Sequence, residues 1–209
     1  MRTSPLQNRV TPFGEIIATR ARGTLMGNRG IIHDPNTKRL LTRRWQHHAW
    51  ICCVLDFKDY QHPIMGVSAY TELFFLDEGT ALAAGHRPCA YCRRAAFNAF
   101  KQAWSVATGA ADPHAPRIDR QLHAERVTRR REKVTFTAQL GELPAGTFVE
   151  LDGHAHLLQQ DKLLPWNTDG YGPPLRFTRS ARVQVLTPYS TVAVLRAGYM
   201  PELHPSSKN

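Results

Sequence analysis

Residues 70–94, YTELFFLDEGTALAAGHRPCAYCRR, change their periodicity twice. Glu72 to Leu76, a glutamate followed by four large apolar side chains, fits a short strand. Asp77 stands where a helix N-cap is needed, and Glu78 to Ala84 reads as a short helix stopped by Gly85. Pro88 leads into Cys89-Ala90-Tyr91-Cys92, and a helix should follow. Ala96, Phe97, Phe100, Ala103, Trp104 and Ala107 recur at helical spacing, with Arg94, Asn98 and Lys101 on the opposite face. The CxxC pair thus sits at a turn before a helix. Zinc prefers four ligands in a tetrahedron, and two thiolates so spaced supply one side of it. Backbone amides at such a turn also lower the thiol pKa.

Upstream, Ala49-Trp50-Ile51-Cys52-Cys53-Val54-Leu55 reads as a buried strand, and Glu15 to Thr19 as a short one. Adjacent strand residues face opposite sides. One of Cys52 and Cys53 can therefore join the CxxC pair easily, and both only with distortion. Downstream, Gly109 to Pro116 breaks the helical pattern, and Arg117 to Arg131 reads as a second helix with few apolar anchors. Short strands follow at Val134–Thr137, Thr147–Leu151, His154–Gln159 and Arg182–Leu186, with Asp152-Gly153 as a hairpin turn. Leu163 to Gly172 reads as an ordered loop. Thr187-Pro188 opens a last helix, Tyr189 to Ala197, closed by Gly198. The expected class is α+β: a zinc-binding front half, residues 1–132, and a small β-rich domain, residues 133–209.

The 209 residues carry a formal charge of +10, unevenly placed. Residues 1–48 hold nine basic side chains against two acidic, and residues 93–133 hold ten against four. Residues 49–92 hold two against five, and the remainder is balanced at six each. Two basic blocks flank the cysteine segment. Like charges repel unless a polyanion pairs with them, so DNA or RNA is the expected partner. Arg93, Arg94, Lys101, Arg129, Arg130 and Arg131 are the candidate phosphate contacts. No apolar run has the length of a membrane span, so no membrane partner is expected. Met1 to Val10 is charged without an apolar stretch behind it, which makes the cytoplasm the default location. Four cysteines are too few for a disulfide scaffold, and reduced thiols at CxxC spacing suggest a metal or a redox pair.

Residues 70–94 resemble the zinc-binding domain of the Ada-type methyl-phosphotriester repair proteins. The shared features are a strand ending in aromatics, Phe74-Phe75, an Ala-rich helix, Thr80 to Gly85, and then His86-Arg87-Pro88-Cys89-Ala90-Tyr91-Cys92-Arg93. The resemblance covers about 25 residues of the chain. It implies that Cys89 and Cys92 are zinc ligands, and that Cys52 or Cys53 would be the sulfur if methyl transfer occurred. The position nearest the expected second upstream ligand holds Gln61-His62. His62 is therefore the candidate fourth ligand, with His47, His48 and His123 as others.

A second constellation is His123-Ala124-Glu125. Zinc nucleobase deaminases combine H-x-E with P-C-x-x-C, and both strings occur here in reversed order. His123 and Glu125 are thus candidate catalytic residues, with Arg120 or Arg126 on a phosphate. The bland alternative for Glu125 is an ion pair with Arg129, one helical turn on. His33-Asp34 reads as a turn with a solvent-facing imidazole, and Trp166, Tyr171 and Tyr199 as core before base-stacking groups. The function expected is a zinc-binding, nucleic-acid-binding protein of DNA repair or nucleic-acid processing. The alternatives are a zinc-dependent hydrolase or deaminase using His123 and Glu125, and a non-catalytic zinc scaffold for protein partners.

Overall fold

The computed structural model describes residues 4–58, 63–67 and 70–208. Its front half contains β1 (Gln7–Val10), β2 (Ile16–Ala18), β3 (Leu25–Asn28), β4 (Ile51–Cys53) and β5 (Leu73–Phe75). Helix α1 (Glu78–Ala83), β6 (Arg87–Pro88), α2 (Arg94–Thr108) and α3 (Ala115–Arg126) follow. The back half contains β7 (Phe136–Gln139), β8 (Phe148–Leu151), β9 (His154–Gln159) and β10 (Lys162–Asn167). It continues with β11 (Gly170–Tyr171), β12 (Leu175–Arg176), β13 (Arg182–Val185) and α4 (Tyr189–Arg196). The class is α+β, with two separate sheets. The first has the order β2-β1-β5-β3-β4-β6, and the second β11-β10-β9-β8-β13-β7 with β12 also on β10. In the first sheet β1–β5 and β4–β6 are parallel pairs, whereas the second is antiparallel throughout.

The two sheets meet around α1. All six of its residues are buried, so its polar groups need partners inside the protein. Asp77 is the N-cap and accepts from the Thr80 amide at 2.8 Å. Its other carboxylate oxygen accepts from Tyr171 Oη at 2.7 Å and the His204 amide at 3.0 Å. Glu78 takes a bidentate grip from Arg93, 2.9 Å on each oxygen, and also accepts from Tyr199 Oη and the Glu202 amide. A second bidentate pair, Arg87 to Asp119 at 2.8 Å, ties β6 to α3. Gly79 is needed for close packing: a Cβ there would stand 2.8 Å from Leu203 and 3.3 Å from Phe148. Apolar cores cross the same seam. Leu82 packs in one cluster with Phe100, Ile118 and Val194, and Ala83 in another with Phe148 and Leu164.

Several sequence expectations change. Leu163 to Gly172 is no loop: β10 pairs with β9 at Leu163↔Leu158 and Leu164↔Leu157, burying both leucines, and turns back into β11. The helix expected to reach Arg131 ends at Arg126, where Val127 adopts an extended conformation and bridges to Lys133. Arg129, Arg130 and Arg131 therefore lie on an exposed turn rather than a helix end. His33 faces inward, with Nδ1 2.7 Å from Thr71 Oγ1. By contrast Trp166, Tyr171 and Tyr199 are the packing groups expected, with polar tips that donate to Thr80, Asp77 and Glu78.

Removing one member of a buried ion pair strands the other charge, at a cost of about 3–5 kcal/mol. Glu78→Ala should lower unfolding stability by about that amount in urea denaturation. The exposed Lys101–Asp112 pair offers the contrast. Lys101→Ala should leave the urea midpoint near that of the wild type.

Candidate metal centre

Strand pairing assembles the cysteines. Cys53 ends β4, opposite Met26 of β3. On its other side β4 runs parallel to β6, and the Cys89 amide donates to the Cys52 carbonyl at 2.9 Å. That bond sets Cys89 beside Cys53. The turn before α2 then brings Cys92 round, and the ligand atoms of Cys53, Cys89 and Cys92 all lie within 4.8 Å of one another. Zinc–sulfur bonds of about 2.3 Å in a tetrahedron require sulfurs about 3.8 Å apart, so this trio needs little adjustment to hold an ion.

Cys52 and Cys53 divide as strand alternation demands. Cys52 points into the core with Val10, Leu73 and Phe75 and is 0% exposed. Its Sγ accepts from Arg93 Nη1 at 3.3 Å, and burial pushes its thiol up to about 12. Cys53 faces the other pair. A hydrogen bond from Cys53, assisted by the backbone amides of Cys92 and Tyr91, draws the Cys89 thiol down to about 5 against desolvation. The same bond holds the Cys53 thiol well above its ordinary value, and desolvation raises Cys92. The shared hydrogen bonds thus favour a thiolate within the trio, and a cation at the centre would favour ionisation of all three.

The trio forms one wall of a cleft of about 770 Å³. Phe57 and Tyr91 meet edge to face across it at 5.0 Å, and Lys58 Nζ donates to Tyr91 Oη at 2.9 Å. Leu55 and Ile64 add exposed apolar surface. Of these liners the sequence sets Tyr91 between the cysteines, whereas only the fold brings Phe57, Lys58 and Ile64 beside them.

Among the described residues no fourth His, Cys, Asp or Glu joins the trio. His62 lies outside the described residues. His48 and His123 stack on each other at 3.9 Å, with Trp45 and Trp50 against His123. They form a separate group. Burial, with help from the Arg126 charge, draws His123 down to about 4, so its ring is neutral at neutral pH. Glu125 is engaged at the start of α4, accepting from the Ser190 amide at 2.8 Å and Ser190 Oγ at 2.7 Å. A carboxylate there complements the positive end of that helix. The ion pair expected with Arg129 does not form, because the helix stops first. Arg93 is buried on Glu78, while Arg94, Arg129, Arg130 and Arg131 face solvent and Lys101 pairs with Asp112.

Elemental analysis should find about one metal ion per chain, consistent with a thiolate site. Cys53→Ser, Cys89→Ser and Cys92→Ser should each lose most of it, and Cys52→Ser should retain it. Metal lost from Cys52→Ser and kept in Cys53→Ser would contradict this geometry.

No family model, curated protein or solved structure matches this chain.

Proposed function

We propose that this protein binds zinc through Cys53, Cys89 and Cys92 and binds nucleic acid, in a repair or nucleic-acid-processing role. The observation that carries the reading is the convergence of three sulfurs on one point beside an aromatic, lysine-bearing cleft. An all-thiolate set favours zinc over the hard, oxygen-seeking cations. The local resemblance of residues 70–94 to the Ada-type zinc domain supports the same metal and the same class of partner.

The basic surface supports the second part. Arg131 donates to the Thr42 carbonyl, which brings the turn of residues 128–131 against the segment holding Arg43 and Arg44. Basic blocks far apart in sequence thereby become neighbours. Arg43, Arg129, Arg130 and Arg131 are exposed there. Such a patch attracts phosphates and releases counterions when it binds them. Arg94 lies at the start of α2, two residues beyond Cys92. Zinc at the trio would fix the end of β4 to the turn before α2 and so hold this surface in place.

Binding of a fluorescent oligonucleotide should weaken steeply with salt, with log affinity falling linearly in log salt concentration. Replacing Arg129, Arg130 and Arg131 together by alanine should reduce that slope by about two to three units for duplex DNA, with metal content unchanged. Absence of oligonucleotide binding at low salt would end the nucleic-acid reading and leave the zinc reading intact.

A further inference from the structure

The sharpest electrostatic anomaly lies away from the cysteines. A cavity of about 970 Å³ opens between the β1–β2 hairpin, the 40–45 segment and the 126–133 turn. Arg29, Arg126 and Lys133 line it. Arg29 and Arg126 are each only 2% exposed, and Lys133 is partly exposed. Among the described residues, none of the three forms an ion pair. Arg29 donates to the Gly14 carbonyl at 3.2 Å and to His86 Nε2 at 3.3 Å. Arg126 donates to the carbonyls of Gly85 and His48, both at 2.6 Å, and its Nε has no partner. Lys133 donates to the Ala83 carbonyl. Asp119, an acid whose charge acts on Arg126, is already gripped by Arg87. Carbonyl and imidazole acceptors take most of these N–H groups, leave Arg126 Nε unmet, and leave the net charge in place.

The arrangement is built rather than incidental. Trp50 lies under two guanidiniums, with the Arg29 and Arg126 carbons each 3.9 Å from its ring centroid. Cation–π contact offsets part of the desolvation. Gly85, at φ +84°, leaves room for the Arg126 stem, since a Cβ there would stand 2.5 Å from its Cδ. Burial, with the charges of Arg29 and Arg126, still pulls Lys133 down to about 7. Several like charges held together without an ion-paired acid cost stability unless an anion joins them.

We propose that this cavity binds a phosphate monoester: the terminal phosphate of a nucleotide or of a nucleic-acid strand. Its strand-end form rests on the nucleic-acid reading above, and the cavity itself does not. A terminal phosphate is close to dianionic at neutral pH and presents three acceptor oxygens, which suits several convergent donors. A backbone phosphodiester has one charge and chain on both sides, so it cannot descend to cations this deeply buried. The volume falls within the range of small-molecule sites. Trp45, partly exposed on the wall, offers a face for a base. Arg44 and Arg131 stand at the mouth and would draw the anion in, while the exposed Glu15 and Glu132 at the rim oppose a second phosphate.

The test is fluorescence anisotropy on the full chain with one single-stranded oligonucleotide in three forms: 5′-phosphate, 3′-phosphate and unphosphorylated. AMP and inorganic phosphate serve as competitors. One phosphorylated form should bind about tenfold or more tightly than the unphosphorylated strand, and AMP should compete with it. Lys133→Met should abolish that preference and AMP binding while retaining metal. Arg44→Ala combined with Arg131→Ala, at the mouth, should weaken both without touching the buried cations. Equal binding of all three strands with no AMP binding overturns the cavity proposal and leaves the nucleic-acid reading standing. A phosphate preference that survives in Lys133→Met also overturns it. AMP binding that depends on Lys133, with no strand binding at any salt, supports a mononucleotide site and overturns the nucleic-acid reading instead.

Discussion

The carboxylate of Glu78 is the point on which the rest of the structure hangs. It is 1% exposed and accepts from Arg93 on both oxygens, from Tyr199 and from the Glu202 amide. Arg93 lies one residue past Cys92 and also donates to Cys52. One buried charge therefore orients the start of α2, the sulfur of β4 and the chain after α4. The carboxylate itself is sheltered, while Arg93 reaches towards the exposed Glu202 at 3.8 Å. A network of this kind is costly unless complete, and here every oxygen of Glu78 is met.

The front half contains two opposite solutions to burying charge. Around Glu78 and Asp119 each acid meets an arginine in bidentate geometry, and the charges cancel. Around Trp50 the cations outnumber the acids, and ring faces, carbonyls and imidazole nitrogens receive them. The first arrangement fixes the fold. The second holds free energy that an anion can recover on binding, which is the physical difference between a structural ion pair and a recognition site.

Local rules made α1 and its cap legible, because Asp77 and Thr80 need only their own spacing to find each other. Strand alternation likewise separated Cys52 from Cys53 but could not say which faces the CxxC pair. That depends on the register of β4 against β6, a contact between residues more than 30 positions apart. The loop expected at Leu163 to Gly172 failed for a related reason. Pro165 and the turn formers obscured a strand whose support comes from β9. Arg126 belongs with Arg29 and Lys133 only through the fold, and each alone reads as ordinary surface charge. His123 and Glu125 had the opposite fault: a recognisable string whose members face different neighbours, His48 and Ser190.

The parallel pair β4–β6 links the two candidate sites. At one end the Arg87 amide bonds the Trp50 carbonyl, with the Trp50 and His86 rings 5.2 Å apart on the cationic side. At the other, the Cys89 amide bonds the Cys52 carbonyl and sets Cys89 beside Cys53. The pair is only two to three residues long, so backbone bonds alone give it little strength. The Arg87–Asp119 clamp holds the Trp50 end, and a metal at the cysteines would hold the far end. Metal binding would therefore stiffen the strand that follows directly on Trp50, although the cysteines do not line the cavity. The same short segment, Trp50 to Cys53, supplies an aromatic ring to one centre and a sulfur to the other, and a bound metal would couple them through rigidity rather than charge.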